Sequence, residues 1–193
     1  MLLKLGEVLE SIDRKNAADP SHVLFDGTDY ATALIEGVRA HHWVQHLRPD
    51  APAPLLIAAR GHHFRRWEIP RSSYPRSRQG YLAWRNRLYD FQAEAVAEVM
   101  EQAGYTHDAI AQAGRLLRKQ DLKADADTQT YEDAVSLAFL EVRLASFMDT
   151  VTAEQLTRAL HSTWRKMSES GHAAALTLTL EPRVAKVISR ALT

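Results

Sequence analysis

The stretch TYEDAVSLAFLEVRLASF, from Thr130 to Phe147, decides the fold, because it is the most apolar segment with helical spacing. Its apolar residues recur every three or four positions, which is typical of a buried helix face. That face holds, in order, Asp133, Leu137, Leu140 and Leu144. A carboxylate without a partner is costly on a buried face. The stretch therefore predicts a central helix that carries one acid in need of a partner.

The rest of the chain shows the same helical spacing. It predicts a first helix ending before Asp19 and further helices over residues 31–46, 55–63, 81–104, 106–119, 152–164 and after position 182. The segment DGTDY, from Asp26 to Tyr30, is interpreted as a turn from which the second helix starts. The alternation LTLTL, from Leu176 to Leu180, is compatible with a short strand, but a single strand has nothing to pair with. We therefore expect an all-α helical bundle that forms one domain over residues 1–193.

Composition limits the classes of function. Of the 193 residues 46% are hydrophobic, and 24 basic residues balance 24 acidic ones. This balance gives no general basic field for nucleic acid or a membrane surface. The lack of cysteine excludes disulfides and thiolate metal sites and agrees with a reducing compartment. The start of the chain, MLLKLGEVLESIDR, matches neither a signal peptide nor a membrane span. We expect a cytoplasmic protein without a membrane partner.

The segment GHHFRRWEIPRSSYPRSRQG, from Gly61 to Gly80, combines many arginines with aromatic residues. Guanidinium groups bind phosphate oxygens in pairs and remain charged at cellular pH. We therefore expect a site for a small phosphorylated ligand, with Arg66 and Arg71 also catalytic. The predicted binding residues are Arg65, Arg66, Trp67, Arg71, Tyr74, Arg76 and Arg78. The alternative is a solvated surface loop whose arginines pair with Glu68, Asp90 and Glu94.

Five of the nine histidines lie close together in the sequence, at positions 41, 42, 46, 62 and 63. Imidazole and carboxylate groups suit a divalent ion such as zinc, manganese or iron. If the second and third helices form a hairpin centred near Pro52, positions 42 and 62 lie level with each other. The predicted metal ligands are His42, His62, His63 and Asp133, and Glu132 is the predicted proton acceptor.

The same residues allow a purely structural interpretation. In it, His41 and His46 face solvent and His42 is a hydrogen-bonded core residue. Asp133 is then a first-turn acid favoured by the helix dipole, and Glu132 faces solvent.

The stretch AARGHHFRRWEIPRSSYPRSRQGYLAWR, from Ala58 to Arg85, resembles the DUF4202 family, a domain of unknown function. The resemblance extends over nearly the whole chain and implies no activity. More distantly, the order of a histidine, a histidine-containing pair and a later acid is similar to the HD-domain metal-dependent phosphohydrolases, which are all-α. In that resemblance His42 matches the first histidine and Asp133 the final aspartate. The pair His62-His63 stands where that family has an adjacent His-Asp dyad.

The residues and the distant resemblance together predict a divalent-metal-dependent phosphohydrolase for a small phosphorylated metabolite or nucleotide. The ion lowers the pKa of a bound water, and the arginines neutralise charge on the phosphoryl oxygens. A function of a different class is a non-enzymatic module that binds RNA or a nucleotide. Such a module stacks bases on the same aromatic residues and follows the phosphates with the same arginines.

Overall fold

The computed structural model describes residues 2–180 and 182–192. Within these residues the chain forms ten α-helices and two short strands. The elements are α1 (Leu2–Asn16), β1 (His22–Phe25), β2 (Thr28–Ala31), α2 (Thr32–Leu47), α3 (Ala53–Arg60), α4 (Arg78–Gln102), α5 (His107–Leu117), α6 (Ala126–Ala138), α7 (Leu144–Met148), α8 (Ala153–Lys166), α9 (Glu169–Ala175) and α10 (Pro182–Leu192). The prediction of an all-α fold is confirmed, and the interpretation as one domain stays a prediction.

A β-hairpin precedes α2, in the region interpreted from sequence as a turn alone. Strands β1 and β2 pair antiparallel, with Phe25 opposite Thr28. The two residues between them, Asp26 and Gly27, have φ angles of 51° and 75°. Positive φ at both positions is what a two-residue hairpin turn of type I′ requires. The sequence interpretation missed this pairing, whereas residues 176–180, which the structure describes in full, form no strand.

Helix α6 is the central helix, as predicted. Eight consecutive residues, from Tyr131 to Ala138, are buried, so the neighbouring chain covers every face of the helix. Helices α2, α3, α5, α8 and α9 all pack against it. After Ala138 the helix widens into a π-helical segment, Phe139–Arg143, and then resumes as α7. π-Helical segments are frequent at functional sites.

Two apolar clusters hold the helices together. The larger cluster contains residues of every helix from α1 through α6, among them Val8, Trp43, Leu55 and Leu137. A smaller cluster joins α7, α8 and α10 and is centred on Leu144. None of the helices that the structure describes is long and apolar enough to cross a membrane.

Candidate functional site

The four predicted metal ligands do not all come together. His62 and His63 stack on each other just after α3, with ring centroids 3.9 Å apart. His42 is exposed, with its ring against the edge of Trp43, and Asp133 is buried in α6. No group of three or more His, Asp or Glu side chains is placed to hold a metal ion in the described ranges. The residues therefore do not fit the divalent ion that the distant resemblance implies.

His41, not His42, faces α3. The His41 side chain is buried, and its Nδ1 lies 3.2 Å from the carbonyl oxygen of Leu56. Since a carbonyl oxygen only accepts, Nδ1 donates its proton there. Burial also lowers the pKa of His41 below its ordinary 6.5. The hairpin of α2 and α3 exists, but α2 is rotated relative to the prediction, and this rotation points His42 to solvent.

Asp133 lies on the buried face, as predicted, and finds its partners in the chain itself. Its Oδ1 accepts hydrogen bonds from Gln129 Nε2 at 3.0 Å and from the Ser168 backbone N–H at 2.8 Å. Its Oδ2 accepts a 2.5 Å hydrogen bond from Ser168 Oγ. The same Ser168 side chain caps α9 by accepting from the Gly171 N–H. Asp133 thus anchors the start of α9 through neutral donors.

Glu36, His63 and Arg66 form a chain of polar contacts beside the stacked histidines. His63 Nδ1 lies 2.5 Å from Glu36 Oε2, and His63 Nε2 lies 3.2 Å from Arg66 Nη1. Because a guanidinium has only donors, Nε2 must accept, and the ring proton sits on Nδ1 and is donated to Glu36. A neutral imidazole oriented by a carboxylate can act as a base or a nucleophile through its unprotonated nitrogen once Arg66 turns from that nitrogen to a ligand.

Burial sets the protonation states of the side chains in this series of contacts. Burial lowers the pKa of His63 well below 6.5, and the charges of Arg66, Arg143 and Lys119 lower it further. Burial also raises the pKa of Glu36 above 4.5, although the charge of Arg143 opposes this effect. Arg143 comes from the π-helical segment, and its Nε lies 3.7 Å from Glu36 Oε1. His63 is therefore neutral at physiological pH. We call Glu36, His62, His63, Arg66 and Arg143 the histidine cluster.

His62 links this cluster to α6. Its Nδ1 lies 3.2 Å from the hydroxyl of Tyr131, which is 1% exposed. Burial raises the pKa of Tyr131 well above 10, so the hydroxyl keeps its proton. Burial lowers the pKa of His62 as well, and the charge of His63 lowers it further. Both rings of the stacked pair are therefore neutral.

Glu132 is completely buried between two lysines. Lys119 Nζ lies 2.5 Å from its Oε2, and Lys166 Nζ lies 2.5 Å from its Oε1. Burial raises the pKa of Glu132, but the two lysines outweigh this effect and lower it to about 2. Such a carboxylate is a weak base, and both its oxygens are already paired. Glu132 therefore does not fit the predicted role of proton acceptor, and the solvent-facing alternative is wrong.

The arginine segment divides between two places. Arg66 enters the histidine cluster, with its guanidinium 4.8 Å from the ring centre of Trp84. Arg65 turns away and pairs with Glu68 at 2.6 Å, as the surface-loop alternative expected for Glu68. Arg71 donates to the carbonyl oxygens of Tyr74 and Pro75, so it shapes the loop. Trp67 is half-buried.

The surface of this segment has a depression with a volume of about 590 Å³, which we call the arginine depression. It is lined by Arg71, Ser72, Tyr74, Arg76, Ser77 and Arg78.

Several residues around the histidines were not anticipated from the sequence. Glu36 gave a usable signal, since it lies four residues before Ala40 and eight before Val44, on the buried stripe of α2. An acid on such a stripe marks a polar site, as the same argument did for Asp133. The other residues that were not predicted from the sequence are Tyr89, Lys119, Tyr131, Arg143 and Lys166.

Comparison with known proteins adds a family but no activity. The family described as "Domain of unknown function (DUF4202)" matches residues 6–188. No curated protein and no solved structure matches the chain. The resemblance to HD-domain phosphohydrolases therefore stays a prediction. Because the family match extends over nearly the whole chain, the protein belongs to the DUF4202 family.

Proposed function

We propose that the protein hydrolyses a small phosphorylated metabolite or nucleotide at the histidine cluster, with His63 as the general base. The contact that carries this proposal is the 3.2 Å approach of Arg66 Nη1 to His63 Nε2. When a phosphoryl oxygen replaces Nε2 as the acceptor of the Arg66 N–H, the base nitrogen is released next to the bound phosphate. Glu36 holds the opposite nitrogen and so fixes the orientation of the ring.

The proposed reaction needs one water and no further reactant. His63 Nε2 takes a proton from the water, whose oxygen forms a bond to phosphorus while the ester P–O bond breaks. The leaving oxygen takes a proton from solvent. Arg66 neutralises charge on the phosphoryl oxygens as the bond breaks. No step uses a metal-bound water, because the described residues offer no three-ligand set for an ion. The reaction is proposed to occur in the cytoplasm.

The surroundings of His63 suit this role. Its side chain is 20% exposed, so a ligand reaches a site where little water weakens the charges. The turn that carries it is strained, because Arg65 has a φ of 54°. The buried Asn16 side chain accepts the Arg65 N–H at 3.2 Å and holds this turn in place. Strained backbone maintained by its surroundings is common at functional sites.

A panel of phosphomonoesters and nucleotides tests the proposal, with release of inorganic phosphate as the measurement. His63→Gln should reduce kcat by about 100-fold or more, the usual contribution of a general base. The matched control is His42→Gln, since His42 is exposed and outside the cluster. Activity should survive a chelator. Equal activities of the two variants, or no hydrolysis of any compound by the wild type, would contradict the proposal.

A second candidate function is the binding of single-stranded RNA at the arginine depression. Arg76 and Arg78 are exposed and have no acidic partner among the residues that the structure describes. Tyr74 lies half-buried beside them, and an aromatic face next to arginines is the usual combination for an unpaired strand.

A further inference from the structure

A second group of cations lies next to the histidine cluster. Lys119 and Lys166 flank Glu132, and Arg85 Nε donates to the hydroxyl of Tyr89 at 2.6 Å. We call Arg85, Tyr89, Lys119, Glu132 and Lys166 the lysine cluster. It holds three cations and one acid, so two positive charges remain uncompensated within it.

Tyr131 connects the lysine cluster to the histidines. Lys119 Nζ lies 5.7 Å from the ring centre of Tyr131, whose hydroxyl contacts His62. The same Nζ lies 5.8 Å from the ring centre of Tyr89. The charge of Lys119 acts on both histidines, since it adds to burial in lowering the pKa of His62 and of His63. The two clusters therefore belong to one continuous polar region.

The two lysines have donors left for a ligand while they remain paired with Glu132. Each ammonium has three donors, of which the carboxylate takes one. Their side chains are 12% and 29% exposed, so protein covers most of each side chain and little water weakens its charge. Lys119 also adopts a φ of 55°, which is unfavourable for a residue with a side chain. Lys123 Nζ donates to the carbonyl oxygen of Met167, which ties the loop after α5 to the residue after Lys166.

We propose that the lysine cluster binds a second phosphate group of the same small ligand, so that the substrate carries two separate phosphates. This inference rests on the proposed function, in which the histidine cluster receives the reacting phosphate. Charge selects the chemistry of the second group. The surplus of two positive charges matches a phosphate monoester, which carries about −1.5 to −2 at neutral pH, better than it matches a singly charged carboxylate.

Calorimetric titration of the full chain tests the inference with alkanediol bisphosphates of increasing length. Each is compared with the monophosphate of the same chain length. At the best length the bisphosphate should bind about 100-fold tighter or more, because its second phosphate engages at high effective concentration. Equal affinities at every length would overturn the inference.

Two variants locate the second phosphate. Lys166→Met and Arg85→Gln should each reduce the ratio of the two affinities by about tenfold, the loss expected for one charged contact. Arg85→Gln leaves the ion pairs of Glu132 in place, so its result is informative even if Lys166→Met folds poorly. Arg165→Gln, an exposed neighbour, should keep the ratio. An unchanged ratio in both Lys166→Met and Arg85→Gln would overturn the inference.

The outcomes separate this inference from the proposed function. If monophosphates are hydrolysed in a His63-dependent way but bisphosphates gain no affinity, the second phosphate site is refuted and the proposed function stands. If no phosphate compound binds or reacts, both are refuted.

Discussion

Asp133 accepts hydrogen bonds from two groups of Ser168, the hydroxyl at 2.5 Å and the backbone N–H at 2.8 Å. This pair joins the central helix α6 to the first turn of α9, which is far along the chain. The acid that looked like a metal ligand in the sequence therefore holds two helices together. A buried carboxylate that accepts several neutral hydrogen bonds needs no cation nearby.

Asp133→Asn should destabilise the protein by about 1 to 3 kcal/mol, because the amide NH₂ meets donors where the carboxylate accepted hydrogen bonds. Unfolding in urea measures the effect. The control is Glu169→Gln, an exposed acid in the same turn, which should change little. Adding Zn²⁺ or Mn²⁺ should not separate the wild type from Asp133→Asn. A rise in Tm of the wild type alone would place an ion at Asp133 after all.

Gly171→Ala tests the close packing of α9 on Asp133. An added Cβ would lie 2.7 Å from Asp133 Oδ1, so the helix must shift. We expect a loss of about 1 to 3 kcal/mol, typical of overpacking. Gly6→Ala is the matched control, since Gly6 lies in α1 with nothing within 4 Å of the added Cβ. That control should gain up to about 1 kcal/mol from helix propensity alone. Similar effects of the two substitutions would disprove the contact.

The low pKa of Glu132 gives the lysine cluster a measurable signature. Its pKa is about 2 in the folded protein, against an ordinary 4.5. The pairing therefore contributes fully above pH 4.5 and is lost as the pH falls through about 2. The difference of 2.5 units corresponds to about 3 kcal/mol. Carboxyl titration by NMR should show the pKa rising in Lys166→Met and unchanged in Arg165→Gln. An ordinary pKa in the wild type would refute the pairing.

The lowered pKa of His63 sets the acid limit of the proposed activity, the pH below which activity is lost. A general base works only when deprotonated, and the pKa of His63 lies well below 6.5. Activity should therefore persist below pH 6.5 and fall only as the pH passes through this lowered value. Because unfolded chains protonate near 6.5, stability from this residue is present above that pH and is lost below it.

Arg143→Gln should shift that limit. Removing the guanidinium takes away a charge that lowers the pKa of His63, so the acid limit of activity and the histidine NMR titration should both move to higher pH. Arg158→Gln is the control, an exposed arginine on α8. A titration of His63 that is unaffected by Arg143→Gln would contradict the electrostatic account.

Periodicity predicted the helices well, because apolar spacing reports directly on burial. The central position of α6 and the inward direction of Asp133 followed from it. It failed for α2, which has buried residues on several sides, among them Ile35, Ala40 and Trp43. With neighbours on several faces, one stripe does not fix the rotation of a helix. The predictions that His42 points inward and that His41 faces solvent are therefore wrong, and Glu36 was not predicted as a site residue.

The contact partners of the site residues could not be predicted from the sequence, because they lie far apart along the chain. Lys119 lies just after α5 and Lys166 is the last residue of α8, positions where lysine is ordinary, and only the fold brings both to Glu132. Ser168 looked like a simple cap because its contact with Asp133 joins distant parts of the chain. The β-hairpin had a local signal, the pair Asp26-Gly27, which favours a two-residue hairpin turn. That signal was assigned to the start of α2 instead.

Salt dependence tests the second candidate function. If single-stranded RNA binds at the arginine depression, each neutralised phosphate releases a counterion. Each such contact contributes about −0.7 to the slope of log affinity against log salt concentration. Contacts from Arg76 and Arg78 alone should therefore give a slope of about −1.4 in a plot of log affinity against log salt. Fluorescence anisotropy with an oligouridine measures it. The double variant Arg76→Gln, Arg78→Gln should flatten the slope, whereas Arg158→Gln should not. Binding that is absent, or that does not respond to salt, would remove RNA as a ligand of this surface and leave the histidine cluster as the candidate site.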